Sequence, residues 1–466
     1  MSEMNHKGVS GCLFYTLQPD NVTADENATT SFLVANPGPY AANVALEGAQ
    51  PASSGGGWKA LLEKRVSAGA SVRLPFSGMP VVGVGISSKA ALRISSDQPV
   101  TVAEIESDNV DSVSTSSGGT MVLPRQSLGG LYRAMTYPQA ATDDVQSIAG
   151  GRGGAARLII IGTKDATDVT FTPVGTVTNG PNGMTFPAGA PFSFTLDDGD
   201  VFQIYSGAEG EDLSGAAVSA KSAAVAVFSG NISTTYGSDV SGINSADMAH
   251  EQMPPIQSWS KLWVAAAMTP QSSIGCTSFF GINGASIWRI VSAQDGTDVT
   301  LAGPGLSTAP KRLNAGEVQM IVQPGNFTVK GTNPILVTQG IDCEPSLSVA
   351  VAVDATILLK SLPFAVPPGF DLQLAIVRQT GAEVDIDKTA VSDEKFQPVS
   401  KAYDVAVIPL DACVPTDGSG VCTHLIESTT GFAVSLRGMD VGSSFALTVP
   451  QLAVGPCDPN VDFCIN

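Results

Sequence analysis

Two stretches of this chain follow one plan, and that repetition limits the fold more than any other feature. RLIIIGTKDATDVTFTP, Arg157 to Pro173, and WRIVSAQDGTDVTLAG, Trp288 to Gly303, each place two apolar runs around a polar turn, with Asp165 and Asp168 answering to Asp295 and Asp298. Short runs rich in Val, Ile, Thr and Phe between turn formers read as β-strands. The same order continues after each copy. FSFTLDDGDVFQIYS, Phe192 to Ser206, matches KRLNAGEVQMIV, Lys311 to Val322, and AAVSAKSAAVAVFSGN, ending at Asn231, matches FTVKGTNPILVTQGID, ending at Asp342. Self-similarity of this kind marks a repeated structural unit.

Fainter copies flank these two. FLVANPGPYAANVAL from Phe32, AGASVRLPF from Ala68 and ALRISSDQPVTVAEIES from Ala91 keep the three-step order, and DLQLAIVRQTGAEVDIDK from Asp371 and HLIESTTGFAVSLRGMD from His424 supply its first and last steps. The expected architecture is all-β, with about four related, Ig-like antiparallel β-sandwich units in tandem. Expected boundaries are 1–120, 121–249, 250–362 and 363–452, followed by a Cys-containing tail over 453–466. A β-propeller-like arrangement is the alternative, although such units exceed the ~40–50 residues of ordinary blades. With 49 Gly and 30 Pro among 466 residues, long helices are not expected.

The formal charge of −19 excludes a general nucleic-acid role, because phosphate backbones demand clustered Lys and Arg. Ser348 to Val366, the longest apolar stretch, is interrupted by Asp354 and Lys360 and falls short of the ~20 residues of a membrane-spanning helix. The start, MSEMNHKGVSGC, lacks an apolar signal core, although Val9-Ser10-Gly11-Cys12 would suit the end of a lipoprotein cleavage site. Cys413 and Cys422 bracket VPTDGSGV, and Cys457 and Cys464 bracket DPNVDF, so both pairs are expected to form disulfides across short turns in an oxidising compartment. Cys276 and Cys343 are candidates for a third pair, which would leave Cys12 over.

Catalytic signals are weak. A GxSxG elbow and a phosphate loop with its Lys are absent, and a strand follows Gly151-Arg152-Gly153 where a phosphate fingerprint needs a helix. His250 precedes Glu251 and would serve as a general base if the carboxylate oriented it, but fixing a Pro-rich connector is the plainer role. No catalytic residue is assigned. LDDGD concentrates Asp197, Asp198 and Asp200 on one turn, the oxygen-rich chemistry that calcium requires, without an EF-hand spacing; a solvated hairpin turn is the default, and no other cofactor is implied. Asp165, Asp168, Asp295 and Asp298 fit turns in which a short carboxylate accepts backbone N–H bonds. Trp58 fits the edge of the first core, or an exposed aromatic face for a sugar. Three Gly-, Ser- and Asp-rich segments, Ser112 to Gly119, Ala149 to Ala155 and Ser233 to Asp247, are either binding loops or connectors.

Taken in order, RLIIIGTKDATDVTFTP, LSGAAVSAKSAAVAVFSGN (Leu213 to Asn231), HEQMPPIQSWSKLWVAA (His250 to Ala266), WRIVSAQDGTDVTL, LNAGE (Leu313 to Glu317) and VKGTNPILVTQG (Val329 to Gly340) resemble the IgGFc-binding protein N-terminal domain family. The resemblance covers Met121 to Leu347 well and the flanks more loosely. It implies an extracellular, non-enzymatic binding or adhesion module, found in an animal mucus protein and in large secreted or surface proteins of bacteria. In the animal protein the region is associated with Fc binding and precedes Cys-rich repeats, which do not follow here; the family supplies no ligand-contact residues to carry over.

The expectation is therefore a secreted or surface-bound adhesion or scaffold protein that binds a protein or glycan partner through loops. A structural assembly protein of a virion or surface layer, with self-association, is the alternative.

Overall fold

The computed structural model describes residues 10–21, 29–106, 117–139, 154–234, 247–268, 286–341, 349–351, 353–354, 358–415, 419–440, 443–449, 457–458 and 463–464. The described elements are strands and single 3-10 turns, and no helix among them is long and apolar enough to cross a membrane.

The chain runs one strand circuit four times. The first uses β1 (Gly11–Thr16), β2 (Thr30–Ala35), β3 (Ala42–Ala49), β4 (Trp58–Val66), β5 (Ser71–Phe76), β6 (Gly85–Ser87), β7 (Leu92–Glu106) and β8 (Gly118–Val122). The second uses β9 (Leu131–Arg133), β10 (Ala156–Gly162), β11 (Thr167–Thr172), β12 (Phe192–Leu196), β13 (Val201–Tyr205), β14 (Ala217–Ala220), β15 (Val225–Thr234) and β16 (Asp247–Gln252). The third uses β17 (Ser260–Ala265), β18 (Ser286–Ser292), β19 (Thr297–Ala302), β20 (Lys311–Leu313), β21 (Val318–Gln323), β22 (Phe327–Ile341), β23 (Val349–Val351) and β24 (Val353–Asp354). The fourth uses β25 (Leu359–Val366), β26 (Asp371–Gln379), β27 (Val384–Ile386), β28 (Thr389–Ala390), β29 (Gln397–Pro398), β30 (Tyr403–Pro409), β31 (Cys422–Asp440) and β32 (Ser443–Val449), and a ribbon of β33 (Cys457–Asp458) and β34 (Phe463–Cys464) ends the description.

One long strand organises each unit. The first half of β7 pairs with β1 and β3, and its second half with β2 and β8. β22 divides in the same way between β17 with β19 and β18 with β23, and β31 between β25 with β27 and β26 with β32. In the second unit the strand is broken into β14 and β15, which separates a four-stranded sheet from a five-stranded one. The cause of the exchange of partners is local. Pro99 and Pro334 sit at mid-strand, where a missing N–H ends one ladder, and Gly431 turns β31 at φ +122°. The strand thus serves both faces of a sandwich, and alternate side chains fill the space between.

The units close into a ring. β8 lies against β16, β16 against β23, β23 against β32, and β32 against β8. Met248 N donates to Ser117 O at 3.1 Å, and a Cβ on Gly119 would lie a tight 3.0 Å from Phe445 Cβ, so glycine eases that approach. Sandwich units and propeller-like closure, the two alternatives raised by the sequence, describe different levels of this one molecule. Three of the expected boundaries, 120/121, 249/250 and 362/363, fall inside β8, β16 and β25.

Cores cross between units. One apolar cluster joins Tyr15, Ile159, Phe228, Phe364 and Phe445 from the first, second and fourth units, and another joins Phe171, Phe202, Trp288 and Phe327 from the second and third. Cys413 and Cys422 form the expected disulfide, with Cα atoms 5.6 Å apart. Its loop docks on the first unit, where Arg73 N donates to Ser419 O at 3.3 Å. Cys12 is not left over: it lies in β1 and is disulfide-bonded, so its sulfur is not available for the thioether that a lipoprotein reading requires. Cys457 and Cys464 face each other in register between β33 and β34, but their side chains lie outside the described residues, as do Cys276 and Cys343.

Candidate functional site

The chemistry-bearing residues gather where units meet. The LDDGD turn of the second unit is built as the sequence suggested: Asp165 Oδ1 accepts from Asp198 N at 3.0 Å, and Asp200 Oδ2 accepts from Asp197 N at 3.1 Å. LNAGE repeats the turn, with Asp295 Oδ1 accepting from Ala315 N and Glu317 Oε2 from Asn314 N. Gly199 and Gly316 take the same left-handed conformation, φ +83° and +79°. Each turn plugs into the preceding unit. Gly199 sits against Ala49 and Trp58, and Gly316 against Gly215, Arg133 and Val174.

The three LDDGD carboxylates are occupied by protein donors. Asp198 accepts from Trp58 Nε1 at 2.8 Å and Tyr15 OH at 3.1 Å, Asp200 from Lys89 N and Ser88 Oγ, and Asp197 from Ala166 N. Lys89 Nζ lies 3.6 Å from Asp200 and donates to Asp198 O. Among the described residues no group of three or more His, Cys, Asp or Glu is arranged to hold a metal ion. Trp58 is half-buried at this junction, edge-on to Tyr15, with Arg93 4.5 Å above its ring. Burial pushes the Tyr15 phenol up, and the Asp198 charge adds to the effect.

A second, deeper cluster lies between β7, β10 and β16. His250 Nε2 is 3.1 Å from Glu104 Oε1, while Arg157 Nη2 lies 3.2 Å from His250 Nδ1 and Nη1 donates to Asp20 O at 2.5 Å. Since Arg157 can only donate, Nδ1 accepts and the proton of neutral His250 faces Glu104. Thr16 donates to Glu104, Thr30 donates to Glu106 at 2.8 Å, and Phe228 stacks on the imidazole at 5.0 Å. Burial pulls the His250 value down, against the pull of Glu104. Burial, and then the neighbouring Glu104, holds the Glu106 carboxyl well above its ordinary range; burial does the same to Glu251.

This arrangement is closed to solvent. Glu104, Glu106, His250 and Glu251 are all 3% exposed or less, so no substrate reaches them. Glu251 does not orient His250, because neighbours on a strand point to opposite faces; its carboxyl is bonded to Thr120. His424 is likewise structural, 2.7 Å from Asp387 and stacked on Phe364.

Sequence reasoning passed over Glu104, Glu106 and Arg157. Their signal is parity: Val100, Val102, Glu104 and Glu106 share one face of β7, so a buried apolar face runs on into two carboxylates. It also passed over a repeat. Pro124-Arg125-Gln126-Ser127 and Pro255-Ile256-Gln257-Ser258 form equivalent 3-10 turns that lead from β8 into β9 and from β16 into β17. Of the three candidate binding loops, residues 112–116, 149–153 and 235–246 lie outside the described residues.

The junction of the second and third units is an open acidic groove of about 630 Å³, lined by Val174, Glu209, Glu211, Asp212, Glu317 and Val318 among others. At its wall Arg289 Nη2 lies 2.7 Å from Asp212 Oδ2. Burial alone would raise the Asp212 value, but Arg289 and bonds from Ser214 and Thr136 outweigh it and hold the carboxyl below the usual range.

The IgGFc binding protein family model matches residues 118–438, the stretch from the first residue of β8 to near the end of β31. The chain belongs to the IgGFc binding protein family. The match takes in β8, the second and third circuits and most of the fourth, and leaves β1 to β7 ahead of it and β32 after it. No curated protein and no solved structure matches the chain.

Proposed function

We propose that this protein is a non-enzymatic, extracellular binding module, acting as an adhesion or scaffold protein that engages a protein partner at the rim of a four-unit β ring. Membership of the IgGFc binding protein family carries the reading. The Cys413–Cys422 disulfide supports an oxidising compartment, and His250, the base candidate raised by the sequence, is buried. The acidic groove favours a partner that presents basic groups, since complementary charge speeds encounter.

The test is binding of the purified, oxidised chain to an array of Fc fragments, mucin-type and bacterial glycans and whole-cell envelopes, in calcium and in chelator. Saturable capture by a protein is expected, and it should persist in chelator because Asp197, Asp198 and Asp200 already have protein donors. Capture by glycans alone, or loss in chelator, would overturn the corresponding part of the reading.

A further inference from the structure

Strands β13 and β21 are the same strand of successive units: Val201 opposes Ile161 just as Val318 opposes Val291. Their outer edges differ. On β13 the edge is covered by β6 of the first unit, which pairs Ser87 with Val201, Ile86 with Phe202 and Gly85 with Gln203. Gln203 Nε2 ties this strap down by donating to Val81 O at 3.1 Å and Gly83 O at 2.9 Å. Every residue of β13 is buried.

On β21 the inner edge pairs with β18 and, among the described residues, no strand pairs with the outer one. No residue of β21 is buried, and Met320, which occupies the position of Gln203, is 52% exposed. Its sequence, VQMIVQ, has neither a charge nor a proline, the two common guards of a free edge. Strand β4, an edge elsewhere in the ring, carries Lys59, Glu63, Lys64 and Arg65. An unguarded edge beside an identical edge that is occupied marks a place made for pairing.

We propose that the outer edge of β21 is a strand-addition site for an extended basic segment of a protein partner, lying as β6 lies on β13. The proposal rests on the binding reading above and names the site and the chemistry of its occupant. Main-chain bonds to the edge supply affinity, and alternate side chains of an added strand reach one face. The acidic groove at the start of β21 selects their sign. Glu209, Glu211 and Glu317 line it, Glu211 and Glu317 accept backbone N–H groups, and Arg289 at its wall is paired with Asp212.

Two labelled ten-residue peptides, valine alternating with lysine and valine alternating with glutamate, test this by fluorescence anisotropy on the full chain. The lysine peptide is expected to bind saturably, weakening as salt is added, to slow hydrogen exchange over 318–323, and to bind Met320→Lys at least tenfold more weakly. If that variant folds poorly, Glu317→Gln, which keeps the turn acceptor and removes the charge, carries the test with the same expected direction. Absence of lysine-peptide binding, equal binding by the glutamate peptide or by the variants, or protection elsewhere would overturn the proposal. So would dimerisation of the wild-type chain, lost in Met320→Lys, without peptide binding, which would give the edge to a second copy. A protein captured in the array equally well by wild type and Met320→Lys would sink the site and leave the binding reading standing; peptide binding at β21 with no capture would do the reverse.

Discussion

The junction of the first and second units and the junction of the third and fourth close the same ring with opposite chemistry. The former holds Glu104, Glu106, His250 and Arg157, with Trp58 on Asp198 at its rim. The latter is apolar: Val264, Ala266 and Met268 pack on Ala375, Val377, Val405, Ala433 and Ala446. Apolar burial is non-directional and tolerates small slips, whereas hydrogen-bonded charges in a low-dielectric interior accept one arrangement. The difference follows the family boundary. All of the apolar junction but Ala446 lies within residues 118–438, and the polar one attaches β1 to β7, which precede them.

The most damaging way to break this contrast is Arg157→Ala, which strands the His250 and Glu104 pair without its cation. A loss of about 3–5 kcal/mol is expected in denaturant unfolding. Met268→Ala, at the apolar junction, should cost about 2–5 kcal/mol through lost burial and a cavity, and its cost should not vary with pH. Trp58→Phe removes a donor to a carboxylate at the rim and is expected to cost about 1.5–3 kcal/mol. Asp298→Asn should lie within about 1 kcal/mol of wild type, because its Arg312 partner is an exposed pair at 3.7 Å.

The pH dependence sharpens the same comparison. Glu106 and Glu251 have folded values above the ordinary 4.5, so the stability they contribute is complete below 4.5 and is lost as pH rises through the raised values. His250 has a folded value below 6.5, so its contribution is complete above 6.5 and is lost as pH falls. The carboxyls make stability decline as pH rises from 4.5 through their raised values, and His250 opposes that decline only below 6.5. Glu106→Gln should flatten that decline in an unfolding series. An unchanged slope would remove Glu106 from the account.

Much of the fold was legible because it is local. Asp165 and Asp295 announce equivalent turns, and the eight residues between Cys413 and Cys422 announce their bridge. The ring was legible only as the propeller-like alternative, since β8 and β32 meet across a separation that no local pattern encodes. The polar junction was half legible: parity along β7 puts Glu104 and Glu106 on a buried face, but their partners come from β10 and β16 in another unit. Asp197, Asp198 and Asp200 were visible as a cluster. What they face was not, because Trp58 and Lys89 belong to the preceding circuit.

The contact of β32 with β8 also sets a timetable. The last strand of the ring must find one made three circuits earlier, so closure waits until all four circuits are available. Loop-closure entropy grows only slowly with length, but non-local pairings are the slow steps of folding. During that wait the edge of β8 facing β32 stands open. The circle shuts when Phe445 arrives against Gly119.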